Sequence, residues 1–182
     1  LTTNYTCNCK CDWCYAQKML VKHRHMNLQY AKQIVNYLYE KKIQTITLTG
    51  GEPTIYPNLV ELICYIKSLG ITVRLATNGK RFKNKVFTQK IVSSKIDGIN
   101  ISIKGTTEEE YLYNTHQTGL HEMIEGYHNL KSLSFEPSIS YVITTKDTNK
   151  FDEFVKMLTK ENIDNLVIQF EKPSLSTEYD GK

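Results

Sequence analysis

Apolar residues along the chain alternate between a helical spacing and a strand spacing. After Asn27, a candidate N-cap, apolar residues at helical intervals predict a helix with one buried face. The run Ile43 to Thr49 then predicts a strand, and the same succession repeats towards the C-terminus. The later predicted strands are "ITVRLATNG", "DGINISIKG", "PSISYVITT" and "NLVIQFEKP". Strands separated by helices of this length are typical of βαβ units, which form a parallel sheet with right-handed crossovers.

The ends of the predicted helices are marked by residues that cap or break helices. A weaker helix is predicted for residues 82–93. The other signals are Pro57 with Gly70, Thr106 with Glu109 as a capping box, Thr118 and Thr148. A first strand ending at Thr6 brings the count to about six units, whereas a closed barrel needs about eight. We therefore predict an α/β fold, a partial (β/α)6 TIM-like barrel with a parallel sheet and outer helices. An open doubly wound sheet is the alternative.

Polar and aliphatic residues alternate along the predicted strands. A parallel sheet with helices on both sides normally has apolar residues on both faces. The polar positions here are Thr45, Thr47 and Thr49, then Asn100, Ser102 and Lys104, and finally Gln169 and Glu171, which oppose Leu166, Ile168 and Phe170. If the aliphatic face meets the helices, the polar face lines a lumen that suits a polar ligand. The alternative is a one-sided sheet whose polar face meets solvent.

Length and composition restrict the class of protein. The 182 residues and 21.1 kDa favour one domain, 1–182, with its own core. No apolar run approaches the length of a membrane span, and the segment before Cys7 is too short and polar for a signal peptide. We therefore expect a cytoplasmic protein with no membrane partner. The net charge of +4 comes mainly from lysine and falls short of a nucleic-acid-binding signature.

Four of the five cysteines lie within "CNCKCDWC". Cys7, Cys11 and Cys14 have the spacing C-x3-C-x2-C and follow the first predicted strand, where α/β enzymes place their chemistry. A structural zinc site would need a fourth ligand, for which His23 or His25 is available. A redox pair of Cys11 and Cys14 would leave Cys7 unexplained. A cubane iron-sulfur cluster held by three thiolates would leave one iron without a protein ligand.

Further motifs follow this loop in order. "LTGGEPTIYPNLVELI", "VRLATNG" and "INISIKG" come after "LTTNYTCNCKCDWCYA", in which the aromatic Trp13 precedes the last cysteine. Together they closely resemble the radical S-adenosylmethionine superfamily, and the resemblance covers almost the whole chain. It implies a 4Fe-4S cluster and S-adenosylmethionine as cofactors. The core domain is most similar to those of peptide maturases and of molybdenum-cofactor biosynthesis enzymes.

The resemblance also implies which residues hold these cofactors. The implied cluster ligands are Cys7, Cys11 and Cys14. The implied contacts of S-adenosylmethionine are Trp13, Gly50, Gly51, Glu52, Pro53, Asn78, Ser102 and Lys104. The turn from Gly50 to Pro53 would receive the methionine ammonium, because glycines permit close approach and carbonyl and carboxylate oxygens accept hydrogen bonds from a cation. The Trp13 backbone would meet the adenine, and the strand-end polar residues would touch ribose or carboxylate. Gln169 and Glu171 would line the far wall of the lumen, although the sequence matches no distinct family motif at these two positions.

The resemblance implies the following reaction. One electron from the reduced cluster cleaves the sulfonium, and the resulting 5'-deoxyadenosyl radical abstracts a hydrogen from the substrate. A peptide is the leading substrate, a small molecule such as a nucleotide is the alternative, and a small redox protein would donate the electron. The enzyme would be of oxidoreductase or lyase type. A non-catalytic zinc-binding interaction module is the alternative from a different class.

The remaining features carry weaker expectations. Cys9 is expected to point outward from the loop, and Cys64 to be a small core residue of the second helix. The basic stretch "KMLVKHRHM" is expected to be a solvated linker, or else to dock an acidic electron donor or bind substrate. The histidines expected to be surface or packing residues are His116, His121 and His128. The chain starts at Leu1 and has no cysteine after Cys64, so we expect a core domain truncated at its N-terminus and without a cysteine-rich C-terminal extension.

Overall fold

The computed structural model describes residues 1–14, 16, 19–20, 24–143 and 151–170. The helices are α1 (Leu28–Glu40), α2 (Leu59–Ser68), α3 (Lys85–Ser93), α4 (Glu108–Thr115), α5 (Leu120–Ser132) and α6 (Phe151–Lys160). The strands are β1 (Thr45–Leu48), β2 (Thr72–Thr77), β3 (Gly98–Ile103), β4 (Ser138–Ile143) and β5 (Leu166–Phe170). Two short 3-10 helices, Pro53–Ile55 and Lys80–Lys83, follow β1 and β2. The predicted alternation of strands and helices is confirmed. Thr148, the predicted start of the last helix, lies outside the described residues.

The five strands form one parallel sheet in the order β1-β2-β3-β4-β5. Neighbours in the sequence are therefore neighbours in the sheet, as in a barrel wound in one direction. The sheet remains open over the part of the chain that the structure describes. These findings confirm the predicted α/β class and the partial barrel.

The predicted first strand is an extended N-terminal segment that lies parallel to the end of β1 and the turn after it. A bridge joins Thr2 to Thr49, and the Thr3 N–H donates to the Thr49 carbonyl at 2.8 Å. Further along, the Gly51 N–H donates to the Asn4 carbonyl at 3.0 Å and the Glu52 N–H to the Thr6 carbonyl at 2.8 Å. This pairing brings the residues that follow Thr6 to the C-terminal end of the sheet.

The core lies between one face of the sheet and the helices. In β1, Ile46 and Leu48 are buried while Thr45 and Thr47 are exposed, and β3 alternates in the same way. The buried strand residues form one cluster with helix residues such as Val35 of α1. Full burial of each aliphatic side chain contributes roughly 1.5–3 kcal/mol to folding, so this cluster fixes which face of each helix is covered. Among the described residues, no helix is long and apolar enough to cross a membrane.

The opposite face of the sheet is polar, as the strand pattern predicts. Asn100 of β3 donates to the Ser138 hydroxyl at 2.9 Å and accepts from the Ser140 hydroxyl at 2.8 Å. At the edge of the sheet, Val167 is 43% and Ile168 is 41% exposed. The expectation that Ile168 is buried against helices is therefore wrong, because β5 pairs with β4 alone among the described strands. The side chain of Gln169 and the whole of Glu171 lie outside the description.

Several helices begin at residues other than those predicted. The helix predicted for 82–93 is split by Asn84, whose side chain accepts from the Phe87 N–H at 2.9 Å and so begins α3. The N-cap of α4 is Thr107 rather than Thr106. The two N–H groups at the start of α5 donate to the Glu108 carboxylate at 2.8 Å, so Thr118 does not cap this helix. Local side-chain caps at Asn84 and Thr107 decide the starts of α3 and α4, whereas a pairing with the preceding helix decides the start of α5.

Candidate functional site

The cysteine loop lies at the C-terminal end of the sheet and is held against α4. The Lys10 N–H donates to the Thr115 carbonyl at 2.9 Å, and the Asp12 N–H donates to the Asn114 carbonyl at 3.3 Å. Within the loop, the Cys14 N–H donates to the Cys11 carbonyl at 3.1 Å. These bonds satisfy carbonyls in the last turn of α4, which have no partner within the helix, and fix the loop backbone between a helix and a strand end.

Cys9 is buried, contrary to the expectation that it points outward. It is 3% exposed, and its Sγ lies 3.8 Å from the Tyr111 hydroxyl and 3.6 Å from Nδ2 of Asn78. Asn78 also donates to the Asn8 side chain at 2.7 Å. The outward prediction is wrong because the loop must bury one side chain between β2 and α4 to stay attached to both.

The three predicted ligands differ in exposure, with Cys11 buried and Cys7 and Cys14 half-buried. The Cys9 N–H donates to the Cys7 sulfur at 3.4 Å, a type of contact that stabilises a thiolate. Hydrogen bonds shared with Cys9, followed by burial, raise the pKa of both Cys7 and Cys11 above the ordinary thiol value. Hydrogen bonds from Cys11 and Cys7 in turn lower the pKa of Cys9. Crowded thiols resist ionising together, and bound metal cations remove that obstacle.

The turn Gly50–Pro53 packs against the N-terminal segment. A Cβ added at Gly50 would lie 2.4 Å from Oδ1 of Asn4, and one at Gly51 would lie 2.4 Å from the Thr6 carbonyl oxygen. Both glycines therefore permit a close approach, as predicted. The group that approaches them in the structure is the N-terminal segment of the same chain, at Asn4 and Thr6. Pro53 is buried at the first position of the 3-10 helix Pro53–Ile55. Their contact with the methionine ammonium stays a prediction.

Glu52 is a buried carboxylate that joins three parts of the site. It is 1% exposed and accepts from the Thr54 N–H at 3.0 Å and hydroxyl at 2.7 Å, the Thr77 hydroxyl at 2.5 Å and the Asn78 N–H at 2.8 Å. Burial raises the pKa of Glu52 against the opposing effect of these hydrogen bonds. The carboxylate therefore ties the turn to the end of β2. The predicted role of Glu52 as an acceptor for the methionine ammonium is separate from these hydrogen bonds and remains a proposal.

The other predicted cofactor residues gather at the same end of the sheet. Asn78 follows β2 and is 6% exposed. Lys104 follows β3, and its Nζ donates to the Ser102 hydroxyl at 2.6 Å and lies 5.9 Å from the centre of the Trp13 ring. The Lys104 charge also acts to lower the pKa of Cys11, although the other causes outweigh it. The lysine thus stands between the polar face of β3 and the cysteine loop.

The cysteine loop fits the implied cluster in two respects. Its donor set is three thiols with a backbone N–H directed at one of them, a combination that suits iron-sulfur ligation. Nε1 of Trp13 is buried and lacks a hydrogen-bond partner within the described residues, and such a donor is normally satisfied by a ligand or water. In the described ranges no three His, Cys, Asp or Glu side chains could hold a single metal ion. In a cubane each thiolate binds a different iron, so convergence on one point is not required.

Two residues that were not among the predicted site residues complete the site. Tyr111 is fully buried on α4 and contacts Cys9, and burial, followed by the charge of Cys9, raises the pKa of its phenol. Thr77 bonds Glu52. Sequence reasoning missed both, since a buried tyrosine in a short helix and a threonine on the aliphatic face of a strand carry no separate signal.

Cys64, predicted as a core residue, is exposed on α2, so that expectation is wrong. His23 lies outside the description. His25 is half-buried, and its Nδ1 has no hydrogen-bond partner within the described residues.

The three histidines expected at the surface are exposed. His116 contacts the cysteine loop, with Nε2 at 2.7 Å from Oδ1 of Asp12, and His128 lies 3.0 Å from a carboxylate oxygen of Glu161. Four of the nine residues of the basic stretch "KMLVKHRHM" lie outside the described residues, and its role as a linker or docking segment stays a prediction.

A family model described as the Radical SAM superfamily matches residues 1–168. The chain belongs to the Radical SAM superfamily. This membership confirms the predicted superfamily and its pair of cofactors, a 4Fe-4S cluster and S-adenosylmethionine. The cysteine spacing and the GGEP turn, which carried the resemblance, are the features that the structure brings to one end of the sheet.

Two kinds of protein are among the curated relatives that the chain resembles. The chain is 27% identical over 168 residues to a probable GTP 3',8-cyclase of Sulfolobus acidocaldarius, covering 91% of this chain and 53% of that protein. It is 26% identical over 157 residues to the mycofactocin maturase MftC of Mycolicibacterium smegmatis, covering 86% of this chain and 40% of that protein. The chain therefore spans about half the length, or less, of these curated relatives.

A solved structure shares the fold. The protein described as native anSMEcpe with bound AdoMet and Kp18Cys peptide superposes with a TM-score of 0.83 at 16% identity. The alignment covers 99% of this chain and 52% of that one. At this identity the likeness shows the Radical SAM fold alone.

Proposed function

We propose that this chain is the core of a radical S-adenosylmethionine enzyme that modifies a peptide. The observation that carries the proposal is the grouping of the cysteine loop, the turn Gly50–Pro53, Asn78 and Lys104 at one end of the sheet. When bound, the reduced cluster and S-adenosylmethionine supply a 5'-deoxyadenosyl radical that takes a hydrogen atom from the substrate. The reaction would be of oxidoreductase or lyase type.

The chain's own residues would bind and orient the cofactors. Cys7, Cys11 and Cys14 would hold the cluster on a loop whose backbone is fixed by α4. The turn Gly50–Pro53 would present carbonyl oxygens to the methionine ammonium, and the buried bonds of Glu52 would keep this turn rigid against β2. Lys104 would offer a cation to a carboxylate, close to the Trp13 ring.

Asn78 and Ser102 would offer hydrogen bonds to the ribose or the carboxylate. Asn78 already bonds Asn8 in the cysteine loop, and Ser102 already bonds Lys104. Both side chains would therefore be held in place before the cofactor binds, which lowers the entropy cost of orienting it.

Two kinds of substrate are supported by the relatives. A maturase among the curated relatives and a peptide-bound structure with the same fold support a peptide. The relative described as a probable GTP 3',8-cyclase supports a nucleotide as the second candidate. A small redox protein is the proposed electron donor, and the proposed compartment is the cytoplasm.

Anaerobic reconstitution with iron and sulfide tests the proposal. We expect about four irons per chain, visible absorbance, and 5'-deoxyadenosine after reduction with dithionite in the presence of S-adenosylmethionine. Cys11→Ala should lose most of the iron and all of the 5'-deoxyadenosine, because a cubane with two protein thiolates is poorly held. Cys64→Ala, at an exposed position on α2, is the matched control and should behave as the unmodified chain.

The rival zinc-binding module predicts a different outcome of the same experiment. It would give about one zinc per chain, no visible absorbance and no cleavage of S-adenosylmethionine. That result would remove the proposed radical chemistry, while the fold would be unaffected.

A further inference from the structure

A groove outside the cofactor site lies between the start of α2 and the outer side of α3. Its volume is about 460 Å³, within the range of protein ligand sites. The lining residues are Tyr56, Pro57, Asn58, Leu59, Val60, Glu61, Arg81, Phe87 and Lys90. The residues that follow β1 and β2 supply both walls, so the groove lies on the same rim of the sheet as the cysteine loop.

The groove is positively charged on its α3 side. Residues 79–96 contain six lysines and arginines and no acidic residue. Lys80 and Lys83 are engaged by Glu122, but no ion pair is recorded for Arg81 or Lys90 within the described part of the chain. Uncompensated cations on a concave surface favour an anionic ligand.

Arg81 is held in a fixed orientation at the groove. Its guanidinium carbon lies 4.3 Å from the centre of the Phe87 ring, and Nη1 donates to the Thr54 carbonyl. Stacking and a backbone bond reduce the entropy that the side chain would lose on binding. Because Thr54 immediately follows the turn Gly50–Pro53, Arg81 also joins the groove to the cofactor site.

The other wall of the groove offers hydrogen-bond donors. Asn58 makes no side-chain cap at the start of α2. The Leu59 N–H donates to the Tyr56 carbonyl at 3.2 Å, and the N–H groups that follow it receive no acceptor from the Asn58 side chain. Tyr56 is 1% exposed, and its hydroxyl has no hydrogen-bond partner within the described ranges. The helix start carries a partial positive charge, so both features favour an acceptor group, such as a carboxylate, at this end of the groove.

We propose that this groove binds an extended peptide segment that combines acidic and large apolar side chains, as part of substrate recognition. The half-buried Val60 and Phe87 would contact the apolar side chains, and Arg81 and Lys90 would take the carboxylates. The Glu61 carboxylate on the same wall disfavours a triphosphate, which carries more negative charge and no apolar group. The inference rests on the proposed function, since it assigns the groove to the peptide substrate proposed above.

A display library of random short peptides, selected against the reconstituted protein, tests this inference. We expect enrichment of Asp and Glu together with Leu, Ile, Phe or Tyr. An enriched peptide labelled with a fluorophore then gives the affinity by anisotropy. Lys90→Gln and Arg81→Gln should each weaken binding about three- to fivefold, as expected for loss of one partly exposed charge pair. Lys85→Gln removes the same charge from the same helix outside the groove, and should change the affinity by less than about twofold.

The outcomes separate this inference from the proposed function. Iron content and 5'-deoxyadenosine formation should be the same in Lys90→Gln and Lys85→Gln as in the unmodified chain, because neither residue contacts the cofactor site. Arg81→Gln is compared by peptide affinity alone, because Arg81 donates to the Thr54 carbonyl beside the turn Gly50–Pro53. Selection of neutral or basic peptides, no selection, or equal weakening by Lys85→Gln would overturn the groove assignment and leave the cluster chemistry standing. Displacement of the labelled peptide by GTP but not by an unlabelled copy of the peptide would also overturn it. Peptide binding that depends on Lys90 in a chain that holds no cluster would support the groove and count against the enzyme.

Discussion

At the scale of single residues, Cys9 differs in exposure from Cys7 and Cys14, while Cys11 is buried like Cys9. Its side chain is held between Asn78 and Tyr111, whereas Cys7 and Cys14 are half-exposed. The spacing of the motif marks Cys9 as an extra cysteine, and only the packing of the loop reveals what it does. Its contacts with Asn78 and Tyr111 assign it to anchoring the loop, because a side chain enclosed on both sides is not free to turn towards a cluster.

Cys9→Ala should therefore keep the cluster and lose stability. We expect iron and sulfide per chain to match the unmodified protein, with the free energy of unfolding lower by about 1 kcal/mol from the small cavity. Iron analysis and urea unfolding measure the two effects, and Cys64→Ala at an exposed position should change neither. Iron loss in Cys9→Ala as large as in Cys7→Ala would show that Cys9 is a ligand and that the motif has been assigned incorrectly.

At the scale of elements, Asp97 joins α2 to the strands. Its carboxylate accepts from Lys67 at 2.6 and 2.7 Å and from the Val73 N–H at 2.7 Å. Partial burial opposes ionisation, but the bonds from Lys67 and Val73 outweigh it and hold the pKa of Asp97 below its ordinary value of 3.8. The carboxylate at the start of β3 thus helps to set the position of α2 against β2.

The lowered pKa gives Asp97 a stabilising effect that depends on pH. A folded-state pKa below the unfolded value contributes stability at neutral pH that is lost as the pH falls through the folded pKa. Asp97→Asn should lower the free energy of unfolding by about 1 kcal/mol at neutral pH, and the difference should shrink towards about pH 3. Urea unfolding at several pH values measures this difference. The control is Glu61→Gln, which removes the exposed Lys32–Glu61 ion pair. A difference that persists undiminished in acid would point to packing instead of charge.

Elements with strong local signals could be predicted from the sequence, and those set by contacts between elements could not. The helix after Asn27 begins as predicted, because the Asn27 side chain accepts from the Gln29 N–H at 2.9 Å. The start of α5 depends on Glu108 of the preceding helix, which no local pattern contains. In the site, the spacing of the cysteines and the GGEP turn could be recognised. The burial of Cys9 and the bonds of Glu52 could not, because both depend on residues brought in by β2 and α4.

At the scale of the whole molecule, the sheet has a firm centre and, over the residues that the structure describes, an open edge at β5. β3 pairs with strands on both sides, and its aliphatic residues are fully or almost fully buried. β5 pairs with β4, while Val167 and Ile168 are each about two-fifths exposed. Stability within one domain is not uniform, and a strand with one neighbour and little buried surface opens locally before the whole fold does.

Hydrogen exchange should resolve this difference. Amides of β3 should exchange through global unfolding, and amides of β5 at least about tenfold faster through local opening. Mass spectrometry of peptic peptides measures both, and β4, which has neighbours on both sides, is the internal control. If β5 is as slow as β3, another surface covers the edge in solution, and self-association would then be visible as a concentration dependence of exchange. The same measurement on a longer form of the protein would show whether added chain protects β5 alone, as expected when a sheet edge gains a partner.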